Sequence, residues 1–245
     1  MPEPVVTPDF SRRLEADEMM DDFSIVDHRL EAALEDLRVV NRWTGGHLAS
    51  ILALREIARR SSAQSVRILD IGAGIGDYAE VFVRWGARVG VDVGVVALDA
   101  NPATVNYARE SLARRLKPPL GAQVSVEVGD AFDLSYPDRS FDIVHAGLFL
   151  HHFSHAECVR ILNEMSRVGR HVVINDLHRH PITYHAVRLM AALFPVSEMF
   201  RHDGPISVLR AFDRADLERM SEAAGLETEI RWFPGFRWIM TGQVV

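Results

Sequence analysis

Lysine, cysteine and long apolar runs are what this chain has least of. Lys117 is the only lysine, which removes lysine-dependent phosphate loops and Schiff-base chemistry from consideration, because this residue sits in neither motif. The single cysteine, Cys158, excludes an internal disulfide and a cysteine-built zinc site and favours a reducing compartment. No apolar run approaches the roughly 18 residues of a membrane span, and no signal peptide is apparent. We therefore expect a cytoplasmic protein without a membrane partner.

A basic surplus is also missing. The net charge of −7 argues against nucleic acid as a partner, since binding to phosphates requires a basic face. Residues 1–36 contain eleven acids and three arginines, so the acidity belongs to the leading segment and the rest of the chain is close to neutral. With 245 residues, 48% of them hydrophobic, the chain suits one α/β domain with additions.

Strand-like and helix-like segments alternate through the body of the chain. Strands are predicted at 66–70, 94–99, 124–128, 141–146 and 171–175, and helices at 76–86, 102–116 and 155–167. This alternation predicts a doubly wound, mostly parallel sheet covered by helices on both faces. A helix at 213–224 and two strands, about 227–232 and 237–242, then predict an antiparallel hairpin, which completes a seven-stranded sheet. Ligands of such sheets bind beyond the carboxyl ends of the strands.

Two segments lie outside this pattern. Residues 11–60 have a helical pattern that is broken at 41–47, and we assign residues 1–62 to an N-terminal helical extension or lid that precedes a domain at 63–245. The simpler interpretation of the break is a turn at a helix end; the alternative places Arg42 and Trp43 over a ligand. Residues 178–210 form an insert, either a helix packed on the core or a lid lined by methionine and aromatic side chains.

A glycine-rich turn at 68–79 organises the rest of the chain. A short apolar run ends at Asp70, after which Gly72, Gly74 and Gly76 alternate before a helix begins. This arrangement of strand, turn and helix lets a ligand lie against bare backbone at a helix N-terminus. A dinucleotide fingerprint requires glycine at the place that Asp77 occupies. The pattern is instead acid-x-Gly-x-Gly-x-Gly.

A second acid marks a ribose site. Asp99 ends the second predicted strand, 23 residues after Gly76, and a carboxylate there can accept hydrogen bonds from both hydroxyls of a ribose. The alternative role, a cap for the next helix, already falls to Asn101, with Pro102 at the first helical position. The sequence therefore predicts a nucleoside-containing cofactor.

These motifs, in this order and at these intervals, resemble class I S-adenosylmethionine-dependent methyltransferases over about residues 65–170. The resemblance implies S-adenosylmethionine as cofactor and assigns roles to individual residues. Asp70 would hold the methionine end, directly or through water, and the Asp130 carboxylate would accept from the adenine amino group. The full set of implied cofactor-binding residues is Asp70, Gly72, Ala73, Gly74, Asp99, Ala100, Asp130, Ala131 and Ala146.

Catalytic candidates follow the fourth and fifth predicted strands. Histidine titrates in the range useful for removing a proton from a hydroxyl acceptor, and His151 and His152 leave the fourth strand while Asp176 and His178 leave the fifth. His151 and His155 have a spacing that could hold a metal on one helical face. No further ligand is evident, so no metal is predicted.

The sequence therefore predicts a methyltransferase for a small, aromatic or polyketide-like acceptor, similar to enzymes of bacterial quinone and polyketide pathways, and it favours oxygen over carbon as the methylated atom. Three alternatives stay open: a lyase, cyclase or decarboxylase that keeps its cofactor unreacted, a nicotinamide oxidoreductase, and a non-catalytic binding module. A monomer or a homodimer is expected.

Overall fold

One seven-stranded sheet organises the structure, a computed structural model that describes residues 8–61 and 63–244. The strands lie in the order β3-β2-β1-β4-β5-β7-β6. Their bounds are β1 Ser65–Ile71, β2 Asp92–Asp99, β3 Val124–Val128, β4 Phe141–Gly147, β5 Gly169–Leu177, β6 Leu226–Phe233 and β7 Arg237–Val244. Strands β1 to β5 pair in parallel, and β7 is antiparallel to both β5 and β6. The predicted fold class is confirmed.

The order of the strands locates the ligand crevice. The chain runs outward from β1 through β2 to β3 and then returns to place β4 on the other side of β1. The loops that leave β1 and β4 therefore run to opposite sides, and a crevice opens between them at the carboxyl edge of the sheet. The glycine turn and the segment that contains His151 and His152 both lie at this crevice.

Eight helices are found in the described residues: α1 His28–Trp43, α2 Gly46–Ser61, α3 Asp77–Val89, α4 Pro102–Arg115, α5 His155–Val168, α6 Pro181–Leu193, α7 Glu198–Arg210 and α8 Arg214–Ala223. Side chains of α2, α3 and α4 pack in one buried cluster and those of α5 and α8 in another, so both faces of the sheet are covered. Both predicted caps are confirmed: the side chains of Asn101 and Ser154 accept backbone N–H groups of α4 and α5. Over the described ranges, no helix is long and apolar enough to cross a membrane.

The prediction of helix from residue 11 onward is wrong for its first part. The Asp27 side chain accepts the N–H of Arg29 and starts α1 at His28. Among residues 8–27, the only regular element is one short turn of 3₁₀-helix, Met19–Asp21. Distant partners hold this segment in addition to its own turn: the Asp203 carboxylate accepts the N–H groups of Met19 and Met20. Residues 1–7 and Ser62, which belong to the predicted extension, lie outside the described residues.

The break between α1 and α2 is a turn. Helix α1 ends at Trp43, and Gly45 follows with φ +79°. The side chain of Trp43 is 81% exposed, and that of Arg42 is exposed as well. The alternative that places these two side chains over a ligand is therefore wrong.

Candidate functional site

A cavity of about 820 Å³ lies at the carboxyl edge of the sheet. Its floor comprises residues 71–75, 98–101, 128–132 and 147–149, which follow β1, β2, β3 and β4. Its cover comprises residues from 17–23, from α1 and from α7. This volume lies near the upper end of the range for small-molecule sites, so the cavity has room for a cofactor and a second ligand.

The glycine turn presents bare backbone to the cavity. Gly72, Gly74 and Gly76 all have positive φ angles, between +52° and +72°, a region that side chains disfavour. Space is equally restrictive: a Cβ atom on Gly72 would lie 2.1 Å from the ring of Phe149. Gly72, Ala73 and Gly74 line the cavity, as predicted.

Asp99 stands beside this turn on the cavity wall. Its Oδ2 atom accepts the N–H of Gly74 at 3.0 Å, and its Oδ1 atom accepts the N–H of Asn101 at 3.0 Å. Each oxygen keeps a further lone-pair direction for a ligand hydroxyl. Burial raises the pKa of Asp99 despite these two hydrogen bonds. A diol that donates to both oxygens would relieve that cost, which suits the predicted ribose contact, and Ala100 lines the cavity next to it.

The loop after β3 supplies another part of the wall. Asp130 and Ala131 line the cavity there, together with Phe132. The Asp130 side chain is exposed at the rim, and its Oδ1 atom accepts the N–H of Phe132 at 2.8 Å. Its second oxygen remains available to a ligand. This placement is compatible with the expected contact with the adenine amino group.

Asp70 and Ala146 are not among the residues that line the cavity, and their contacts with the cofactor stay predictions. Asp70 is 1% exposed and lies behind the glycine turn, where its Oδ1 atom is 2.7 Å from Nδ1 of His145. Burial raises the pKa of Asp70 against the opposing effect of His145. Ala146 is 1% exposed, and the next residue, Gly147, lines the cavity in its place.

A buried polar network joins the N-terminal helices to this site. The Nη2 atom of Arg237 donates to Oδ1 of Asn41 at 2.8 Å, and Nδ2 of Asn41 donates to Oδ2 of Asp77 at 3.1 Å. His47 lies 2.7 Å from the same carboxylate and, against the effect of burial, holds the pKa of Asp77 below its ordinary value. Asn41, Asp77 and Arg237 all line the cavity. The sequence signalled none of them as site residues.

His151 and Asp176 form a close pair. Nδ1 of His151 lies 2.7 Å from Oδ1 of Asp176, and the two side chains are 3% and 0% exposed. Burial alone would raise the pKa of Asp176, but the charge and hydrogen bond of His151 hold it below its ordinary value. An ionised Asp176 fixes the proton on Nδ1 and leaves Nε2 of His151 to accept one. His151 lines the cavity, so the pair has the geometry of a general base and its positioning residue.

His152 contacts the N-terminal segment. Its Nδ1 atom lies 2.7 Å from Oδ1 of Asp21, whose Oδ2 atom accepts from Nη1 of Arg210 at 2.6 Å. Burial would lower the pKa of His152, but Asp21 and Glu18 raise it above its ordinary value. Residues 17–21 are thereby tied to the cavity by charged hydrogen bonds, which are stronger than neutral ones. His152 therefore acts as an anchor for the cover.

Three potential metal ligands also meet at this point. Single donor atoms of Glu18, His151 and His152 lie within 4.8 Å of one another. The guanidinium of Arg210, whose Nη1 atom is 3.6 Å from Oε1 of Glu18, already supplies a positive charge and disfavours a second cation. His155, the partner considered from the sequence, is exposed on α5. We assign no metal, and the expectation of none stays a prediction.

His178 is not among the residues that line the cavity. Its ring packs on those of His180 and Trp238, with centroid distances of 5.1 and 4.9 Å. Strand β5 continues to Leu177, two residues beyond the predicted end, and His178 follows it directly. His151, which lines the cavity, is therefore better placed to act as a base, and a catalytic role of His178 stays a prediction.

The cover of the cavity has an apolar part beside its charged residues. Met199 and Phe200 of α7 are 1% and 5% exposed and line the cavity together with Leu30 and Leu34 of α1. The insert thus contributes methionine and aromatic side chains, as one of the two interpretations predicted. Phe194, by contrast, is 61% exposed and lies outside the cavity.

The fold and this site define an α/β protein that binds a nucleoside cofactor at the crevice beside β1. The strand order, with an antiparallel β7 at the far side, differs from the dinucleotide-binding order, in which six strands run in the sequence 3-2-1-4-5-6. The missing fingerprint glycine agrees with this difference. The oxidoreductase alternative is therefore not supported.

Comparison with known proteins agrees with this assignment. Residues 68–171 match the family model of a methyltransferase domain. A ubiquinone/menaquinone biosynthesis C-methyltransferase from Cupriavidus metallidurans is 26% identical over 80% of this chain and 81% of its own length. Ajmaline N-methyltransferase from Rauvolfia serpentina is 28% identical over 55% of this chain, which covers 47% of that protein. Magnesium protoporphyrin IX methyltransferase from Synechocystis, solved with bound S-adenosylhomocysteine, shares the fold with a TM-score of 0.57 at 16% identity, over 86% of each chain.

Residues 68–171 therefore contain a methyltransferase domain, and the chain is similar to S-adenosylmethionine-dependent enzymes that methylate small molecules. Its cofactor is S-adenosylmethionine. The residues present fit this group, since the bare turn at Gly72 and the Asp99 carboxylate face one cavity.

Proposed function

We propose that the enzyme methylates a hydroxyl-bearing aromatic or polyketide-like acceptor, and that oxygen is the methylated atom. The observation that carries this proposal is the His151–Asp176 pair, whose histidine lines the same cavity as the apolar side chains of Leu34, Met199 and Phe200. A phenol or enol presents a flat apolar body and one weakly acidic hydroxyl. These are the two features that such a cavity can bind.

Different residues of the cavity would bind the cofactor, align the acceptor and remove its proton. Bound S-adenosylmethionine supplies a methyl group activated by a sulfonium, and Asp99, the turn at Gly72 and the loop at Asp130 would hold it. Met199 and Phe200 exclude water and align the acceptor, which can account for much of the acceleration of a displacement reaction. Nε2 of His151 takes the proton of the acceptor hydroxyl, and Asp176 stabilises the resulting imidazolium.

Methylation at carbon is the second candidate. It is favoured by the likeness to C-methyltransferases of quinone biosynthesis. Removal of a phenol proton also enriches the neighbouring ring carbons in electron density, so the same base serves both outcomes. The two candidates therefore share His151 and differ in which atom of the acceptor faces the methyl group.

The proposal is tested by following a deuterated methyl group from S-adenosylmethionine into a panel of phenols, enols and hydroquinones. We expect a labelled product whose methyl group resists exchange and shows the NMR shift of a methoxy carbon. A carbon-bound methyl signal would instead establish the second candidate. Cofactor that binds but keeps its label with every hydroxylated acceptor would reject both and revive the lyase, cyclase or decarboxylase alternative.

Asp99 gives a separate prediction for the cofactor. Asp99→Ala is expected to weaken S-adenosylmethionine binding by about 10- to 100-fold, the loss of charged hydrogen bonds worth roughly 1.5–3 kcal/mol. Calorimetry measures the dissociation constant directly. Asp92→Ala, at the exposed start of the same strand and away from the cavity, is the matched control and should leave the constant unchanged. An unaltered constant in Asp99→Ala would show that the carboxylate does not hold the ribose.

A further inference from the structure

Helix α6 has an apolar face that no other described element covers. Ile182, Leu189 and Leu193 are 58%, 59% and 69% exposed, and Ala186 between them is exposed as well. Their spacing of four, three and four residues places them in one narrow line along the helix, called here the apolar stripe. The opposite side of α6, with Thr183 and Ala191 at 2% and 4% exposure, packs on the protein. A helix that is apolar on both sides implies a partner for its outer side.

The charges around the stripe indicate what that partner is. Residues 178–197 contain no acid, whereas they contain two arginines and three histidines in a chain whose net charge is −7. Arg179 is buried and paired with Asp213 and Asp216. Arg188 and His185 are exposed beside the stripe, and Arg188 carries a positive charge there. An apolar line beside a basic side chain, with no acid on the same helix, is the pattern of helices that lie in the interface of an anionic membrane.

A second copy of the chain fits this face less well. A symmetric pair would bring the same patch of each copy into contact, and we consider the arrangement in which two α6 helices cross near their midpoints. The midpoint of Pro181–Leu193 lies next to Arg188, so the two guanidinium groups would approach each other with no acid on either α6 to separate them. The charge pattern therefore opposes self-association and favours a surface of opposite sign.

We infer that the apolar stripe of α6 docks on an anionic lipid surface. The expectation of no membrane partner depended on the absence of a spanning segment, which does not bear on binding at the interface. The inner side of α6 contacts the cover of the cavity: a Cβ atom on Gly204, which lines the cavity, would lie 2.9 Å from Val187. Docking thus places the apolar cover next to the phase in which an apolar acceptor dissolves, a consequence that depends on the proposed function.

The test is sedimentation of the full chain with vesicles, without turnover, so that its result is independent of the acceptor. The vesicles are phosphatidylcholine alone, or phosphatidylcholine mixed equally with phosphatidylglycerol. We expect binding to the mixed vesicles that salt weakens. Leu189→Ser with Leu193→Ser should reduce the partition coefficient by at least about tenfold, and Arg188→Gln should reduce it by about fivefold.

Leu48→Ser with Leu52→Ser is the matched control. These two leucines are also exposed, at 55% and 43%, but on α2, and their replacement should leave vesicle binding unchanged. Absence of binding to the mixed vesicles, or binding that survives the Leu189 and Leu193 replacements, would overturn the inference. A dimer in ultracentrifugation without lipid, which these same replacements dissociate, would assign the stripe to a second copy and overturn it as well.

Discussion

Replacing His151 by asparagine is expected to lower kcat by at least about 100-fold, with a much smaller change in KM. A positioned general base contributes roughly 10²- to 10⁴-fold to the rate, and the asparagine side chain can keep a hydrogen bond to Asp176 without accepting a proton. Steady-state kinetics with the acceptor identified from the labelled-methyl panel measures both constants. A variant that retains more than a tenth of the wild-type kcat would show that His151 is not the base.

The ionisation of Asp176 and rescue by imidazole distinguish a chemical role of His151 from a structural one. The pKa of Asp176 is held below its ordinary value of 3.8, so this carboxylate is ionised throughout the working range. Its stabilising interaction is therefore present above that value and is lost only in strong acid. Added imidazole should partly restore the kcat of His151→Asn, because the function that this variant lacks is the acceptance of a proton.

His178→Asn is the control for this experiment. His178 also follows a strand end and was an equal candidate from the sequence, but it packs on Trp238 outside the cavity. Its replacement should leave kcat unchanged, with or without added imidazole. If the two variants behaved alike, the effect would belong to the loss of any histidine near this edge and the assignment of His151 would fail.

The sequence correctly predicted those parts of the fold whose determining interactions are local. Asn101 caps α4 through the N–H of Ala103, two residues away, and the turn at Gly72 owes its form to its own glycines. In the cap and in the turn, the interacting residues lie within a few positions of one another, so residue type and spacing predict both features. The same holds for the alternation of strands and helices, because each segment shows its own periodicity.

The parts that the sequence missed depend on distant partners. Arg210 and Asp21 are 189 residues apart, and Arg237 and Asn41 are 196 apart. No local pattern distinguishes these residues from ordinary surface charges, and only the sheet order brings them together. His151 and Asp176 show an intermediate case: each was selected as a strand-end residue, but their pairing follows from β4 and β5 being neighbours. His178 was selected on the same ground, but β5 runs two residues further than predicted and His178 does not line the cavity.

The failure of the helix prediction before residue 28 has a related cause. Helical spacing of apolar residues does not account for hydrogen bonds that compete for the backbone, and here the Asp203 carboxylate takes two N–H groups of Met19 and Met20. Arg13 meanwhile donates to carbonyl groups of His151 and Arg210. The segment is thus used as a cover that connects the loop after β4 with α7. A free helix could not make these contacts.

The second large effect is expected at the glycine turn. Gly72→Ala places a Cβ atom 2.1 Å from the ring of Phe149, at a φ of +63°, so the ring must leave its position or the turn must change its path. Both changes deform the floor of the cavity where the cofactor lies against the backbone. We expect affinity for S-adenosylmethionine, measured by calorimetry, to fall by at least about 100-fold, which corresponds to roughly 2.7 kcal/mol.

Gly90→Ala measures the backbone strain without the collision. Gly90 has a similar φ of +73°, but nothing lies within 4 Å of a Cβ atom added there. Its alanine variant should lose about 1–2 kcal/mol in the free energy of unfolding, the cost of a left-handed conformation, and keep the wild-type affinity for the cofactor. Gly72→Ala combined with Phe149→Ala should lose less free energy of unfolding than the sum of the two single replacements, because the collision is removed. Equal cofactor affinities in Gly72→Ala and Gly90→Ala would mean that the cofactor does not lie against this turn, since of these two glycines only Gly72 lines the cavity.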